Sequence, residues 1–281
     1  MKIGPKSKRE IGMMILRIAL LLVVAWGGAV LWMWARQESY LFLSNNWEPL
    51  PQFETARWDR EINGVKLQGW FLDKGADQTV IYHGGNAADL AGHCEVLFQG
   101  LAANALLVNY RGYGQSEGTP GEKEMVADGI AVLDLFCEEQ QVPLSSIFLM
   151  GRSIGSGVSV QVAAARPEIA GVILVTPYES IAAIARFQYP WLPIERMLRH
   201  PFRSIDYAPK LTIPALILLA EFDEVIPVET GRKLSEAWGG PKEIITLPTG
   251  HNDINESPAY FEAINRFVSG EASAQRPSQS E

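Results

Sequence analysis

A chain of 281 residues with a net charge of −8 is long enough for one large α/β domain, and its acidity argues against nucleic-acid binding. Two cysteines are too few for a disulfide-built scaffold. No two histidines, and no histidine–cysteine pair, show a ligand spacing, so no metal or other cofactor is implied. The charge is uneven: residues 1–36 carry six basic groups and one acidic, and this +5 end leaves −13 for the rest.

The first element is apolar. Residues 11–16 and 18–34 flank a single Arg17, and 24 residues of helix at about 1.5 Å each span a hydrocarbon core of roughly 30 Å. Arg17 is near enough to one end to snorkel into the headgroups, and Trp32 and Trp34 suit the far interface. Lys2, Lys6, Lys8 and Arg9 precede the span, which places the amino terminus in the cytoplasm and the rest of the chain in a periplasm or equivalent compartment. A cleaved signal peptide is the alternative, with Gly27-Gly28-Ala29 as its cleavage site. The apolar run continues to Trp34, however, where a signal sequence would turn polar. The expectation is a basic cytoplasmic tail (1–10), a single-pass membrane anchor (11–34) and a linker (35–52).

Asn63-Gly64, between two strand-like runs, reads as a hairpin turn supplying antiparallel strands at a sheet edge. From residue 79 to 268 strands alternate with helical stretches, the pattern of a parallel sheet covered on both faces. Residues 79–82 form a strand, followed by His83-Gly84-Gly85-Asn86. After a helical stretch holding His93 and Cys94 comes the run Asn109-Tyr110-Arg111-Gly112-Tyr113-Gly114-Gln115-Ser116-Glu117-Gly118. Thr119-Pro120-Gly121-Glu122 then gives a helix start, with Thr119 as N-cap, and that helix runs to about Gln140.

Residues 146–150 are a strand and 154–166 a helix, so Gly151-Arg152-Ser153-Ile154-Gly155 lies on the turn between them. A serine on such a turn has a strained backbone and an outward hydroxyl, and the crowding two residues either side requires glycine. A serine near pH 7 needs a base, itself oriented by a carboxylate. The strand at 214–220 is followed by Glu221-Phe222-Asp223-Glu224, and the strand at 242–247 by Pro248-Thr249-Gly250-His251-Asn252-Asp253. Of the four histidines, His93 is helical, His200 is in an irregular segment and His83 precedes the serine. His251 is the candidate base. Asp223 is preferred over Glu221 and Glu224 as the acid, because Val225-Ile226-Pro227 packs its loop back into the next helix. Asp253 is too close to His251 to face the ring and is expected to brace the loop. Ile154 and Gly85 are the candidate oxyanion donors, with Asn86 the alternative to Gly85.

These segments together resemble the α/β-hydrolase superfamily. The run from Asn109 is similar to its Asp-Tyr-Arg-Gly-x-Gly-x-Ser stretch, with Asn109 in place of the Asp at a structural position. The resemblance covers about residues 53–270. It implies an α/β-hydrolase fold: a mostly parallel central sheet with helices on both faces and a short cap insertion at about 178–211. It also places Cys94 and Cys137 on opposite faces, unbridged. The finer likeness, carried by residues 83–87, residues 151–157 and the amino-terminal span, is to membrane-anchored esterase and acyl-protein-thioesterase-like hydrolases.

The aromatics of the cap (Tyr178, Phe187, Tyr189, Trp191, Phe202 and Tyr207) are expected to wall a shallow apolar acyl cleft, unless they simply cover the core. Tyr178, Trp191 and Asn86 are the candidate substrate contacts. The implied activity is a membrane-anchored serine hydrolase acting on a small-molecule or lipid-like acyl ester or thioester through an acyl-enzyme. The alternatives are a peptidase or amidase with the same triad, or a catalytically silent, membrane-tethered binding module. Residues 271–281 are polar and expected to be disordered.

Overall fold

Runs of sequence in which every residue is buried build the centre of the sheet. The computed structural model describes residues 8–44, 51–88 and 90–271, so the basic residues 1–7 and the tail 272–281 lie outside it. Strands β4 (Thr79–His83), β5 (Asn104–Val108), β7 (Gly171–Val175) and β8 (Ala215–Ala220) are buried throughout, and β6 (Ile147–Arg152) as far as Gly151. Such runs require cover on both faces. With β3 (Gly69–Leu72) and β9 (Lys242–Leu247) they form a seven-stranded sheet in the order β3-β5-β4-β6-β7-β8-β9, parallel except for β3.

The register sets Ile81 beside Leu149 and Leu149 beside Val172 on one face. Helices α3 (Glu122–Gln140), α4 (Ile154–Ala165) and α7 (Val228–Ala237) pack there through Leu133, Phe136, Val158, Val162 and Leu234. On the other face Tyr82, Met150, Ile173 and Leu218 meet α2 (Leu90–Gly100) and α8 (Pro258–Val268) through Cys94, Leu97, Tyr260 and Ile264. Cys137 packs on the first face, so the two cysteines are separated by the sheet and no disulfide joins them.

From β4 the chain moves to one side of the sheet, and from β6 to the other. The crevice between adjacent strands of this kind, at their carboxyl ends, is where open α/β sheets place ligands. The loop after β4 carries Gly84-Gly85-Asn86, and β6 ends at Ser153.

Three local expectations are corrected. Asn63 and Gly64 both have positive φ (50° and 76°), as a two-residue I′ hairpin needs, but β1 (Arg60–Ile62) and β2 (Val65–Leu67) form a separate two-stranded sheet. The antiparallel edge is β3. Helix α3 begins at Glu122 after an extended Gly121, not after a Thr119 cap. Its first amide, Glu122 N–H, donates to His200 Nδ1 at 3.1 Å, and the Glu122 carboxylate is occupied by Phe202 N–H and Gln161. The third is the linker: α1 (Lys8–Leu41) runs unbroken for 34 residues, about 51 Å, through the first part of it.

Between β7 and β8 lie two short helices, α5 (Ile181–Gln188) and α6 (Ile194–Met197). Ala182, Leu192 and Ile194 from this segment pack against Val30 and Met33 of α1. The last turns of the amino-terminal helix therefore rest on the cap segment.

His83 closes β4 with its ring buried among α3 and α4, Nδ1 2.7 Å from Ser159 Oγ and Nε2 without a hydrogen-bond partner. Burial pushes its pKa down to about 4. The unfolded chain, with an ordinary histidine near 6.5, thus binds the proton first, and stability falls as pH drops from about 6.5 to 4. This one group accounts for a loss on the order of 3 kcal/mol across that window. Urea unfolding of the full chain in detergent should show a shallower decline for His83→Gln than for the parent. Parallel declines would refute the assignment.

Candidate active site

Ser153 sits at φ 53° and ψ −122°, a backbone region that non-glycine residues rarely occupy. Packing enforces it. A β-carbon on Gly155 would lie 2.1 Å from the His83 carbonyl oxygen, and one on Gly151 would lie 2.3 Å from the Gly155 carbonyl oxygen. The first turn of α4 is thereby pressed against the end of β4, and the serine between the glycines is forced outward. Ser153 N–H donates to Val175 O at 2.9 Å, and Ser153 O accepts from the Ser156 amide and hydroxyl at 2.9 and 2.7 Å.

Ile154 opens α4, so its N–H has no carbonyl of its own helix to bond. Gly85 passes beside the serine: a β-carbon there would be 3.7 Å from Ser153 Cβ. Two tyrosines fix this loop. Tyr110 O–H donates to Gly84 O at 3.0 Å, and Tyr113 O–H donates to Asn86 Oδ1 at 2.9 Å. Burial pushes the ionisation of Tyr110 well above the ordinary tyrosine range, so the phenol stays a donor. The Asn86 oxygen also accepts from Leu43 N–H at 2.8 Å, so its side chain is engaged in holding the chain after α1.

His251 Nδ1 lies 2.8 Å from Asp223 Oδ2, with both side chains almost wholly buried. The other carboxylate oxygen, Oδ1, accepts from Val225 N–H and Ile226 N–H at 2.9 and 2.7 Å. An acceptor-only carboxylate facing Nδ1 selects the Nδ1–H tautomer and leaves the Nε2 lone pair for proton transfer. Two side chains position the His251 loop. Arg152, adjacent to the serine, donates to His251 O and Asn252 O at 2.9 and 3.1 Å. Glu224 Oε2 accepts from His251 N–H at 3.1 Å. These two, and not the side chain of Asp253, brace the loop. Ser153 Oγ and His251 are not hydrogen-bonded to one another; such contacts commonly tighten only with substrate in place.

A cavity of about 460 Å³ reaches Ser153 and Ile154. Asn86 and Tyr178 line it, together with Ile181, Ile184 and Tyr189 of the cap segment and Val225 and Ile226 of the acid loop. Trp191, expected as a substrate contact, does not; its ring is half exposed. Phe202 is fully buried under α4, against Gly157, and is core. The wall that sequence reasoning missed comes from α1: Trp32, Met33, Trp34, Gln37, Tyr40 and Leu41. Nothing in one chain's sequence signals that a membrane-length helix folds onto residues 150 positions later. The roles of Tyr110, Tyr113 and Arg152 were also missed, although all three lie inside motifs that the sequence made visible.

If the buried pair orients the base, Asp223→Asn should lower kcat by on the order of 10³ to 10⁴. Glu224→Gln keeps an oxygen acceptor for His251 N–H and should cost less than about tenfold, the size of one hydrogen bond. Glu221 is exposed, and Glu221→Gln should be neutral. Steady-state kinetics of the three variants check the order; a larger loss at either Glu than at Asp223 would overturn it.

Comparison with known proteins finds relatives in sequence and in fold. Residues 77–203 match the family described as serine aminopeptidase, S33. An uncharacterized Mycobacterium tuberculosis protein, Rv2307c, is 29% identical over 265 residues, covering 89% of this chain and 93% of its own. The alpha/beta hydrolase domain-containing protein aho-3 of Caenorhabditis elegans is 34% identical over 202 residues, 70% of this chain and 59% of its own length. Among solved structures, the Pyrococcus furiosus esterase Pf2001 superposes with a TM-score of 0.62 at 21% identity, over 82% of this chain and 95% of its own. An acetyl xylan esterase from Paenibacillus sp. R4 gives 0.61 at 20% identity, over 80% and 87%. At these identities the structural likeness is one of fold.

Proposed function

Since this chain belongs to the α/β-hydrolase superfamily, we propose that it is a membrane-anchored serine hydrolase that cleaves carboxylic esters or thioesters through an acyl-enzyme. The observation that carries the reading is the strained Ser153 beside a loop that holds His251 2.8 Å from a buried, fully bonded Asp223. Ser153 Oγ attacks the acyl carbonyl carbon while its proton passes to His251 Nε2. The oxygen that becomes negative is held by the N–H groups of Ile154 and Gly85. Collapse breaks the bond to the alcohol or thiol, which leaves with the His251 proton. Water then attacks the acyl-serine by the same route, releasing the acid and restoring Ser153.

A peptidase would use the same triad, and the matched family's description names one. The cavity favours the ester. An aminopeptidase must hold a substrate ammonium, and among the described residues no carboxylate lines the space that reaches Ser153. Fluorophosphonate should label the parent chain, and Ser153→Ala should lose both the label and ester turnover, the latter by on the order of 10³ or more. A label that persists on another serine, or an anilide cleaved faster than the matching ester, would refute the reading.

The anchoring rests on α1, which is long and apolar enough to cross a bilayer and leaves Leu20 to Val24 exposed. With four basic residues before its apolar stretch, the amino terminus would face the cytoplasm and the catalytic domain the periplasm or its equivalent. The intact chain should stay in the membrane fraction through a carbonate wash, with the domain digestible from the outer side. A soluble form starting near Val30 would indicate a cleaved signal peptide.

A further inference from the structure

The helix that reaches into the membrane and the cavity that reaches the serine share a wall. From Ile18 to Trp34 the chain carries no charged residue, and the exposed apolar stretch at Leu20–Val24 runs without a polar break into Trp32, Met33 and Trp34. About 20 helical residues from Ile11 traverse roughly 30 Å of hydrocarbon, which puts the far boundary near Leu31. Trp32 and Trp34 then lie at headgroup depth, where indole rings are favoured. The cavity thus starts at the bilayer surface, the depth at which a membrane lipid carries its ester carbonyls.

The contact between α1 and the cap segment is built, not incidental. Gln37 is nine-tenths buried: its Nε2 donates to Met197 O at 3.1 Å, and its Oε1 accepts from Arg199 N–H at 2.8 Å. Arg199 pairs with Glu38 at 3.0 Å and lies 4.3 Å from the centre of the Trp34 ring. Phe42 is buried between His200 and Phe202, and Leu43 N–H bonds Asn86 in the loop beside Ser153. A flexible tether would need none of these contacts.

We propose that the last turns of α1 complete the acyl-binding site, and that the substrate is a long-chain acyl ester lipid drawn sideways from the bilayer into the gap between α1 and the cap. The inference rests on the serine-hydrolase reading and deepens it. Among the described residues no charged side chain lines the cavity and most of its lining is apolar, so it suits hydrocarbon; a soluble peptide or sugar would leave most of its polar groups unpaired there. Phe187 and Trp191, on the cap elements that also carry Ile184 and Leu192, are exposed and apolar, fitting a cap edge that dips into the same interface.

The test uses the full chain reconstituted in phosphatidylcholine vesicles. The probes are p-nitrophenyl esters of four and sixteen carbons, the longer one placed either in the same vesicles or in separate ones. The parent should prefer the long ester and turn it over at least about tenfold faster from its own bilayer. Met33→Trp and Leu41→Trp, which fill the α1 side of the cavity, should each lower the long-to-short ratio of kcat/KM by about tenfold or more, the worth of two methylenes. Fluorophosphonate labelling of both variants reports whether Ser153 and its partners are intact. Labelling with an unchanged ratio in both variants would overturn the α1 wall. Equal turnover from separate vesicles, or clear preference for an S-palmitoyl peptide over the lipid ester, would overturn the substrate. Loss of labelling and of all turnover in the parent would instead refute the hydrolase reading itself.

Discussion

The close approach of α4 to the carboxyl end of β4 is the constraint on which the site depends. Gly155 lies against the His83 and Gly84 carbonyls with no room for a side chain, and that contact sets three things together. It forces the positive φ of Ser153, leaves the Ile154 amide unbonded at the start of a helix, and brings Gly85 beside the serine. The strain of one residue in a sparsely populated region costs on the order of 1 to 3 kcal/mol. It is offset by the packing of α4 on a sheet whose central strands are buried on both faces.

What was legible in the sequence was whatever depends on short-range pattern. Unbroken apolar runs located β4, β6 and β8, because strands covered on both faces tolerate no alternation. The order serine, acid, histidine on loops after successive strands pointed to Ser153, Asp223 and His251, and the geometry places the last two in contact. The failures have a common cause in long-range partners. The start of α3 was misplaced because its first amide is capped by His200, 78 residues on, and not by a local Thr. Trp191 was read as a wall because aromatics in an irregular segment look alike, whereas only their neighbours in space divide them into core, cavity and surface. Phe202 became core, Tyr178 and Tyr189 cavity, and Trp191 surface.

The same cause hid the role of α1. A run of apolar residues ending in Trp-Ala-Arg-Gln-Glu reads as a span followed by an interfacial stop, which is all that hydropathy can convey. The polar residues at that stop are specific ones. Gln37 supplies both a donor and an acceptor to the backbone of the cap segment, at Met197 O and Arg199 N–H. Glu38 is drawn below the ordinary carboxylate range by its hydrogen bond to Arg199. An exposed pair of this kind contributes little stability in itself, so its effect is on orientation, turning the Trp34 face of α1 toward the cap.

A membrane segment that served only to tether a soluble enzyme could be exchanged for any apolar helix of the same length, with its last turns free in water. Here the last turns carry the buried amide, the cavity wall and, through Leu43 and Asn86, a hydrogen bond to the loop that flanks Ser153. The placement of α1 on the domain and the shape of the cavity are consequently set by the same contacts. Removing the helix to obtain a soluble domain would take away one side of the cavity and expose Ile194 and Leu192 to water. Activity measured on such a fragment would describe a shallower site than the one the whole chain builds. The short cap suffices in this fold because it is half of a wall whose other half is α1.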